Sequence, residues 1–370
     1  EDLPQGSPFP MIAMLINDLI NKGIKVVAFT TSPGITKSYI KETKNLTLCV
    51  VPQTLHPARY FYTKEINELT TLMKRYRCDL IHSQWSYEFS IAALRTNIPT
   101  IVTLHDHALT ILKLMILSNN NLTTKLHWII RYLLNQIVLK RSQYLTVNSK
   151  YLYNLLPNKY KIKTRIINNF YSSKLERNLI PIENKKNILV SISNGFNKRK
   201  NIDTALKALK IVRKISPELE YYLIGESMGK NEVAHNYALK HNLQFGVRFL
   251  GRLSFNEVKE IVSSSIIFLH PSREESFGMS VLEAMVLGTT VIGGSNSGNI
   301  PKLLDNGNAG ITCNINSPEE MANSILKLYK NQELNNKLRM NAFNFVSSHY
   351  SEKKIIEKYL TYYNDILKKK

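Results

Sequence analysis

Two glutamates with seven residues between them, Glu275 and Glu283, carry the most informative chemistry in the chain. They fall in residues 268–294, which read FLHPSREESFGMSVLEAMVLGTTVIGG. The pattern is strand, loop, helix, strand. Pro271 ends the strand, Glu274 and Glu275 sit in the loop, and Gly278 lets backbone come close to a ligand. A helix that opens near Met279 or Ser280 presents unpaired N–H groups and the positive end of its dipole, which together make an anion site. Glu283 follows about one turn later, where its carboxylate can reach back to a ligand held at the helix start. Acidic side chains in dinucleotide folds bind sugar hydroxyls in this way. The plainer alternative is two surface carboxylates, one of them favouring a helix start by its charge.

These residues need elements to hold them. Apolar strand-like runs alternate with helical patterns along the 370 residues. In the first half the expected strands are 25–30, 46–51, 80–83, 100–104, 144–147 and 165–167, with helices such as 10–21, 63–77 and 124–140 between them. In the second half strands at 188–193, 221–224, 247–250, 266–269 and 290–292 alternate with helices over 202–215, 233–240, 255–264 and 280–287. Beyond Pro318 the pattern is helical. Short buried strands alternating with helices predict parallel α/β sheets. The polar stretch from Tyr171 to Lys186, punctuated by Ile180-Pro181, separates the halves. We therefore expect an α/β fold of two Rossmann-like, doubly wound domains facing a central cleft, over residues 1–175 and 186–345, with a helix at 346–370 packing back on the first domain. Ligands in such sheets sit at the carboxyl ends of the strands. The chain opens on a loop and a helix where such a domain usually opens on its central strand. This predicts that the first strand lies upstream of residue 1.

Composition narrows the classes. Apolar residues at 44% and charged residues at 21% exclude global disorder. No run approaches the ~18 apolar residues of a membrane-spanning helix; the longest, at 108–117, carries Lys113. Cys49, Cys78 and Cys313 are odd in number and far apart, which fits neither a disulfide framework nor a zinc pattern. Forty-nine Lys and Arg against 28 Asp and Glu leave +21. Between His107 and Leu175 there are eleven basic residues and no acid. Such a single-sign field points to an anionic partner: lipid headgroups, a phosphorylated acceptor or nucleic acid. Within it, residues 124–141 read TKLHWIIRYLLNQIVLKR. Leu126, Ile129, Ile130, Leu133, Leu134 and Ile137 form a broad helical stripe, Trp128, Tyr132, Val138 and Leu139 add apolar surface, and Lys125, Arg131, Lys140 and Arg141 supply charge. This is either an interfacial membrane helix or a core helix with a wet basic back. A nucleic-acid reading lacks a reading helix, a basic aromatic motif or a zinc module.

The 268–294 segment resembles the signature of the retaining family 4 glycosyltransferases (glycosyl transferases group 1), which have the two-lobed GT-B architecture. The resemblance covers most of the chain and is strongest in its C-terminal half. It implies that Glu275 contacts the donor sugar hydroxyls and Glu283 the ribose of the nucleotide. It makes Ser276, Phe277, Gly278, Met279 and Ser280 the donor-binding run, with amides of Phe277 to Ser280 on the diphosphate. The second domain then binds the donor and the first the acceptor. A second match is the loop 193–203, SNGFNKRKNID, which presents Arg199 and Lys200 to the diphosphate. The physics is independent of the name: a departing nucleoside diphosphate gains negative charge that preorganised cations stabilise, Arg by a two-pronged grip and Lys as a point charge. The family often has Gly where Asn201 stands, which leaves that backbone open. His105, at the end of an expected strand in Thr103-Leu104-His105-Asp106, matches a histidine near the transferred sugar; His107 and His82 match less well. Gly6 matches a glycine in a loop over the donor phosphates, and Gly225 a glycine lining the nucleotide pocket. After the strand at 290–292 the family tends to carry Gly-Gly and then an acid; here Lys302 replaces the acid, and no role is carried over.

No two aspartates stand two residues apart, so the Asp-x-Asp metal motif of the other large glycosyltransferase fold is absent, and no His/Cys/Asp cluster has metal-ligand spacing. We expect no metal and no cofactor beyond the nucleotide sugar as co-substrate, with neutralisation left to Arg199, Lys200 and a helix N-terminus. The expected reaction moves a sugar from a nucleotide-diphosphate sugar to a hydroxyl of a saccharide or lipid-linked acceptor, in polysaccharide or lipopolysaccharide biosynthesis. The expected location is cytoplasmic, peripheral on the inner face of the plasma membrane, against an anionic lipid surface and with no nucleic-acid partner. The rivals are a sugar-nucleotide epimerase or hydrolase on the same fold and a non-catalytic basic protein.

Overall fold

The computed structural model describes residues 10–117, 122–176 and 178–369. It divides into two units, Glu1–Asn169 with Lys353–Lys370, and Phe170–Glu352. In the first, β1 (Val26–Ser32), β2 (Tyr39–Glu42) and β3 (Leu46–Pro52) form a sheet in the order β1-β3-β2. β1 runs parallel to β3, and β2 runs antiparallel to it. β2 escapes a reading based on apolar runs because Tyr39-Ile40-Lys41-Glu42 is a half-polar edge strand that is mostly exposed. The parallel strands β4 (Ile81–Gln84), β5 (Thr100–Leu104), β6 (Tyr144–Val147) and β7 (Thr164–Ile166) form a second sheet in chain order. Among the described residues the first-half strands thus lie in two sheets. β5 is buried along its whole length, which places its carboxyl end, and His105 just after it, inside the unit.

Residues Glu352–Leu367 form a helix of this same unit. Its buried face, Ile355, Ile356, Tyr359, Tyr362 and Ile366, recurs at helical spacing. Tyr362 meets Tyr144 edge-on, and Asp365 pairs with Arg165 at 2.8 Å.

The other unit is built on β8 (Lys186–Ile192), β9 (Glu220–Ile224), β10 (Val247–Gly251), β11 (Ser265–His270), β12 (Thr290–Gly294) and β13 (Ile311–Cys313). They form one parallel sheet ordered β10-β9-β8-β11-β12-β13. From β8 the chain winds outward through β9 and β10; from β11 it winds the other way through β12 and β13. The switch point lies between β8 and β11, where open α/β sheets bind ligands. Both central strands are near-continuous apolar runs because helices cover both faces. Leu189, Ile267 and Leu269 enter one core cluster, while Ile188, Val190 and Phe268 enter the cluster on the opposite face. Three helices, Pro318–Lys330, Gln332–His349 and Glu352–Leu367, account for the helical pattern after Pro318. Thr290 of β12 donates to the backbone carbonyl of Asn335 on the second of these.

Candidate active site

The loops after β8 and β11 lie side by side at the switch point, and the charged residues singled out in the sequence meet there. Lys200 Nζ donates to Glu275 Oε1 at 2.7 Å. Arg199 Nη1 lies 3.8 Å from the same oxygen and donates to the Glu274 carbonyl at 3.3 Å. The two loops are also joined through backbone, Arg273 N–H to the Arg199 carbonyl at 2.8 Å. Glu275 is 16% exposed. Burial pushes its carboxyl up, but Lys200, His270 and Arg199 together outweigh burial and hold it down at about 2. The carboxylate is therefore ionised at neutral pH.

His270, the last residue of β11, has no assigned role in the sequence reading although it stands in the same segment. Its Nε2 is 3.6 Å from Glu275 Oε1. Burial lowers its pKa to about 4 against the pull of Glu275, with Lys200 and Arg199 adding to the lowering. It is neutral at pH 7, so the cations beside Glu275 are Lys200 and Arg199.

Asn201 closes the basic loop with φ 56 and ψ 28, in the left-handed region. Asn is among the few side-chain-bearing residues that visit this region readily, which is how it stands where the family often has Gly. Its Nδ2 donates to the carbonyls of Pro271 and Ile315, and its Oδ1 accepts from Thr204. The side chain thus ties the basic loop to the loop after β11.

Gly278 starts the helix Met279–Val286 at φ 99, and a Cβ there would stand 2.7 Å from Ile300 Cδ1. With no side chain it gives the helix no side-chain cap, and no acid occupies the first turn. Ser276 and Phe277 lead into this start, and Met279 and Ser280 are its first two residues. Asn299 Nδ2 donates to the Phe277 carbonyl, and Asn299 N–H to the Glu275 carbonyl at 2.9 Å. Glu283 lies on the same helix, half-buried. Burial raises its carboxyl to about 7, and no described residue hydrogen-bonds or ion-pairs with that carboxylate. Gly225, at φ 119 after β9, is required because a Cβ would collide with the Ser193 carbonyl where the basic loop begins. Gly6 lies outside the described residues. Gly298 and Asn299 clamp the Glu275 backbone, a part the sequence does not reveal. The sequence signal was a Gly-Asn pair after a strand, too common to single out alone.

His105 belongs to the other unit and is 6% exposed. Its Nε2–H donates to Gln84 Oε1 at 2.7 Å, and Trp85 lies against its ring. Burial, with His82 adding, holds its pKa at about 3, so it acts as a neutral imidazole. Gln84 Nε2 donates in turn to His82 Nε2 at 3.1 Å, and His82 Nδ1 meets the Tyr363 hydroxyl at 2.6 Å. The helix Glu352–Leu367 is thereby linked to His105 through His82 and Gln84. Among the described residues no group of three or more His, Cys, Asp or Glu is placed to hold a metal ion.

Comparison with known proteins gives this geometry its family. The profile of "Glycosyltransferase Family 4" matches residues 11–173, and that of "Glycosyl transferases group 1" matches residues 172–345. The chain belongs to the group 1, family 4 glycosyltransferases. It is similar to an uncharacterised glycosyltransferase of Methanocaldococcus jannaschii, 28% identical over 72% of this chain and 70% of that one. It is also similar to the N-acetyl-alpha-D-glucosaminyl L-malate synthase of Bacillus anthracis, 31% identical over 50% of this chain and about half (48%) of that enzyme. In fold this glycosyltransferase matches sucrose-phosphate synthase of Thermosynechococcus elongatus (TM-score 0.79, 19% identity, 99% of this chain and 94% of that one). It matches Anabaena HepE in complex with UDP and glucose (TM-score 0.72, 16% identity, 97% of each chain). The GT-B fold of two Rossmann-like domains is thus that of this glycosyltransferase.

Proposed function

We propose that this glycosyltransferase transfers a sugar from a uridine-diphosphate donor to an acceptor hydroxyl, with retention at the anomeric carbon. The observation that carries the reading is the buried Lys200–Glu275 pair at the switch point, with Arg199 beside it. The UDP and glucose held by HepE favour the uridine donor. In the proposed complex the diphosphate lies between Lys200, Arg199 and the amides of Phe277 to Ser280 at the start of the Met279–Val286 helix. Glu275, kept ionised, accepts hydrogen bonds from the sugar hydroxyls. Glu283, with no partner among the described residues, accepts those of the ribose. Lys200 then faces both Glu275 and the leaving phosphate, so its charge is in place as negative charge develops.

The glycosidic C–O bond to phosphate breaks through an oxocarbenium-like state, and the acceptor oxygen bonds to the same face of the anomeric carbon. The acceptor proton passes to the departing diphosphate, so the reaction closes without an external base. His105, neutral and donating from Nε2, is the candidate on the acceptor side. The acceptor proposed is a saccharide or lipid-linked saccharide of a cell-surface polysaccharide or lipopolysaccharide. The enzyme is proposed to work at the cytoplasmic face of the plasma membrane, with no metal.

Thermal unfolding with UDP, UDP-glucose, GDP and GDP-mannose, with and without EDTA, tests the donor site. A ligand at about 100 times its Kd stabilises by about 2.7 kcal/mol. Stabilisation by the uridine compounds, unchanged by EDTA and lost in Lys200→Ala, is expected. No stabilisation by any of them, or stabilisation by the guanosine compounds alone, refutes the reading.

A further inference from the structure

The helix Leu122–Arg141 carries apolar residues on two faces, and one of them is left uncovered. Ile130, Leu134 and Val138 are buried in the first unit's core. Leu122, Leu126, Ile129, Leu133 and Ile137 are 81%, 49%, 39%, 45% and 41% exposed. They recur every three or four residues and so share one face. The stripe expected from sequence therefore splits. Ile130 and Leu134 belong to the core, and the outer members form a row of their own. Arg131 also departs from expectation. Instead of adding surface charge, it turns inward, its guanidinium 3.8 Å from the centre of the Tyr87 ring.

A contiguous exposed apolar row on one helix face marks an interaction surface. The preceding helix, Ala108–Leu117, packs on this one and ends with Ile116 and Leu117 exposed at 48% and 80%. The charge carried by these two helices is of one sign. Lys113, Lys140 and Arg141 are exposed, Lys125 is half-buried next to Leu126, and residues 107–175 contain no acid to compensate them. Another copy of the chain would bring the same positive field against itself. An anionic bilayer offers both an apolar interior for the row and phosphate for the lysines.

We propose that the outer face of Leu122–Arg141, with Ile116 and Leu117, is the surface on which this enzyme sits on anionic membrane lipid. This deepens the reading of a lipid-linked acceptor and takes its purpose from it. The row lies in the acceptor-side unit and no residue of the donor site belongs to it.

The test is co-sedimentation of the full chain with vesicles of phosphatidylcholine and phosphatidylglycerol, against vesicles of phosphatidylcholine alone. The wild type is expected to bind the anionic vesicles at least about tenfold better, with the preference shrinking as salt rises. Leu133→Ser with Ile137→Ser is expected to weaken binding about tenfold or more at low salt. Lys125→Gln with Lys140→Gln is expected to flatten the salt dependence. Both variants should keep the wild-type thermal midpoint and its shift with UDP, because Leu133, Ile137 and Lys140 are exposed and none of the four belongs to the donor site. Unchanged vesicle binding by the serine variant overturns the proposal. So does a wild-type dimer in sedimentation equilibrium that the serine variant dissolves, since the row would then be a self-interface. Loss of the UDP shift in wild type with vesicle binding intact would instead sink the donor reading and leave this surface standing.

Discussion

Gly298 lies with its α-carbon directly against the backbone carbonyl of Glu275, at φ 61, so that any Cβ would collide with that oxygen. The next residue, Asn299, donates its N–H to the same carbonyl. A segment at the far end of β12 therefore holds the acidic residue at the heart of the site. Gly298→Ala should displace Glu275 and strain the backbone, at a cost of about 1–3 kcal/mol. The expected result is a lowered thermal midpoint together with at least about tenfold lower kcat. A midpoint shift with full activity would mean the clamp is structural only.

Lys200 and Glu275 act as one unit. Lys200→Ala leaves Glu275 buried with Arg199 as its remaining cation, so its carboxyl pKa should climb from about 2. Transfer should fall by about 10²–10³. Glu275→Gln should fall comparably, and the double variant by much less than the product of the two. Initial rates with donor saturating check this, and simple additivity counts against the coupling.

The two glutamates pull pH dependence in opposite directions. Glu275 titrates below its unfolded value, so its contribution to stability is complete above about pH 4.5 and is lost as pH falls towards 2. Glu283 titrates above its unfolded value. Its contribution is complete below about pH 4.5 and is lost as pH rises through about 7, where a desolvated carboxylate must ionise. Glu283→Gln, without nucleotide, should therefore gain in thermal midpoint over wild type as pH is raised from about 5 to about 8. A difference between the two that does not change with pH would show that Glu283 is not desolvated.

Gln84 positions His105. Gln84→Ala removes the acceptor of the Nε2–H bond, and kcat should fall about tenfold while KM for the donor stays put. Tyr363→Phe, at the other end of the chain of hydrogen bonds, should have a smaller effect in the same direction. Equal loss of kcat and donor binding in Gln84→Ala would point to general damage to the unit.

Arg131 tests the inner face of the basic helix. Burial pushes up the carboxyls of Glu88 and Asp106, and the positive charge of Arg131 works against that rise. Arg131→Ala should destabilise by about 1–3 kcal/mol because it removes the Tyr87 contact and the favourable charge near those acids. Lys140→Ala, on the exposed side, should shift stability by no more than about 0.5 kcal/mol. Denaturant unfolding of both variants distinguishes the faces.

Local information in the sequence marked most strands and helices of the Phe170–Glu352 unit to within about three residues, but not the short β13 (Ile311–Cys313) or the helix Ile300–Leu303. Strands buried on both faces read as unbroken apolar runs, and the helices between them carry a clear 3.6-residue period. It also marked Glu275, Glu283, Arg199 and Lys200, because their types and spacing form one recognisable pattern. Strand β2 was lost because an exposed edge needs no apolar run. What only the tertiary structure decided is which residues meet. Lys200 and Glu275 are 75 positions apart and come together because the sheet reverses its winding between β8 and β11. Gly298 and Gln84 acquire their parts in the same way, through contacts with residues more than 20 positions away. The direction in which Arg131 points was equally out of reach. Helical periodicity gives its angle on the helix, but only the packing of Tyr87 and the acids around it says which side is in.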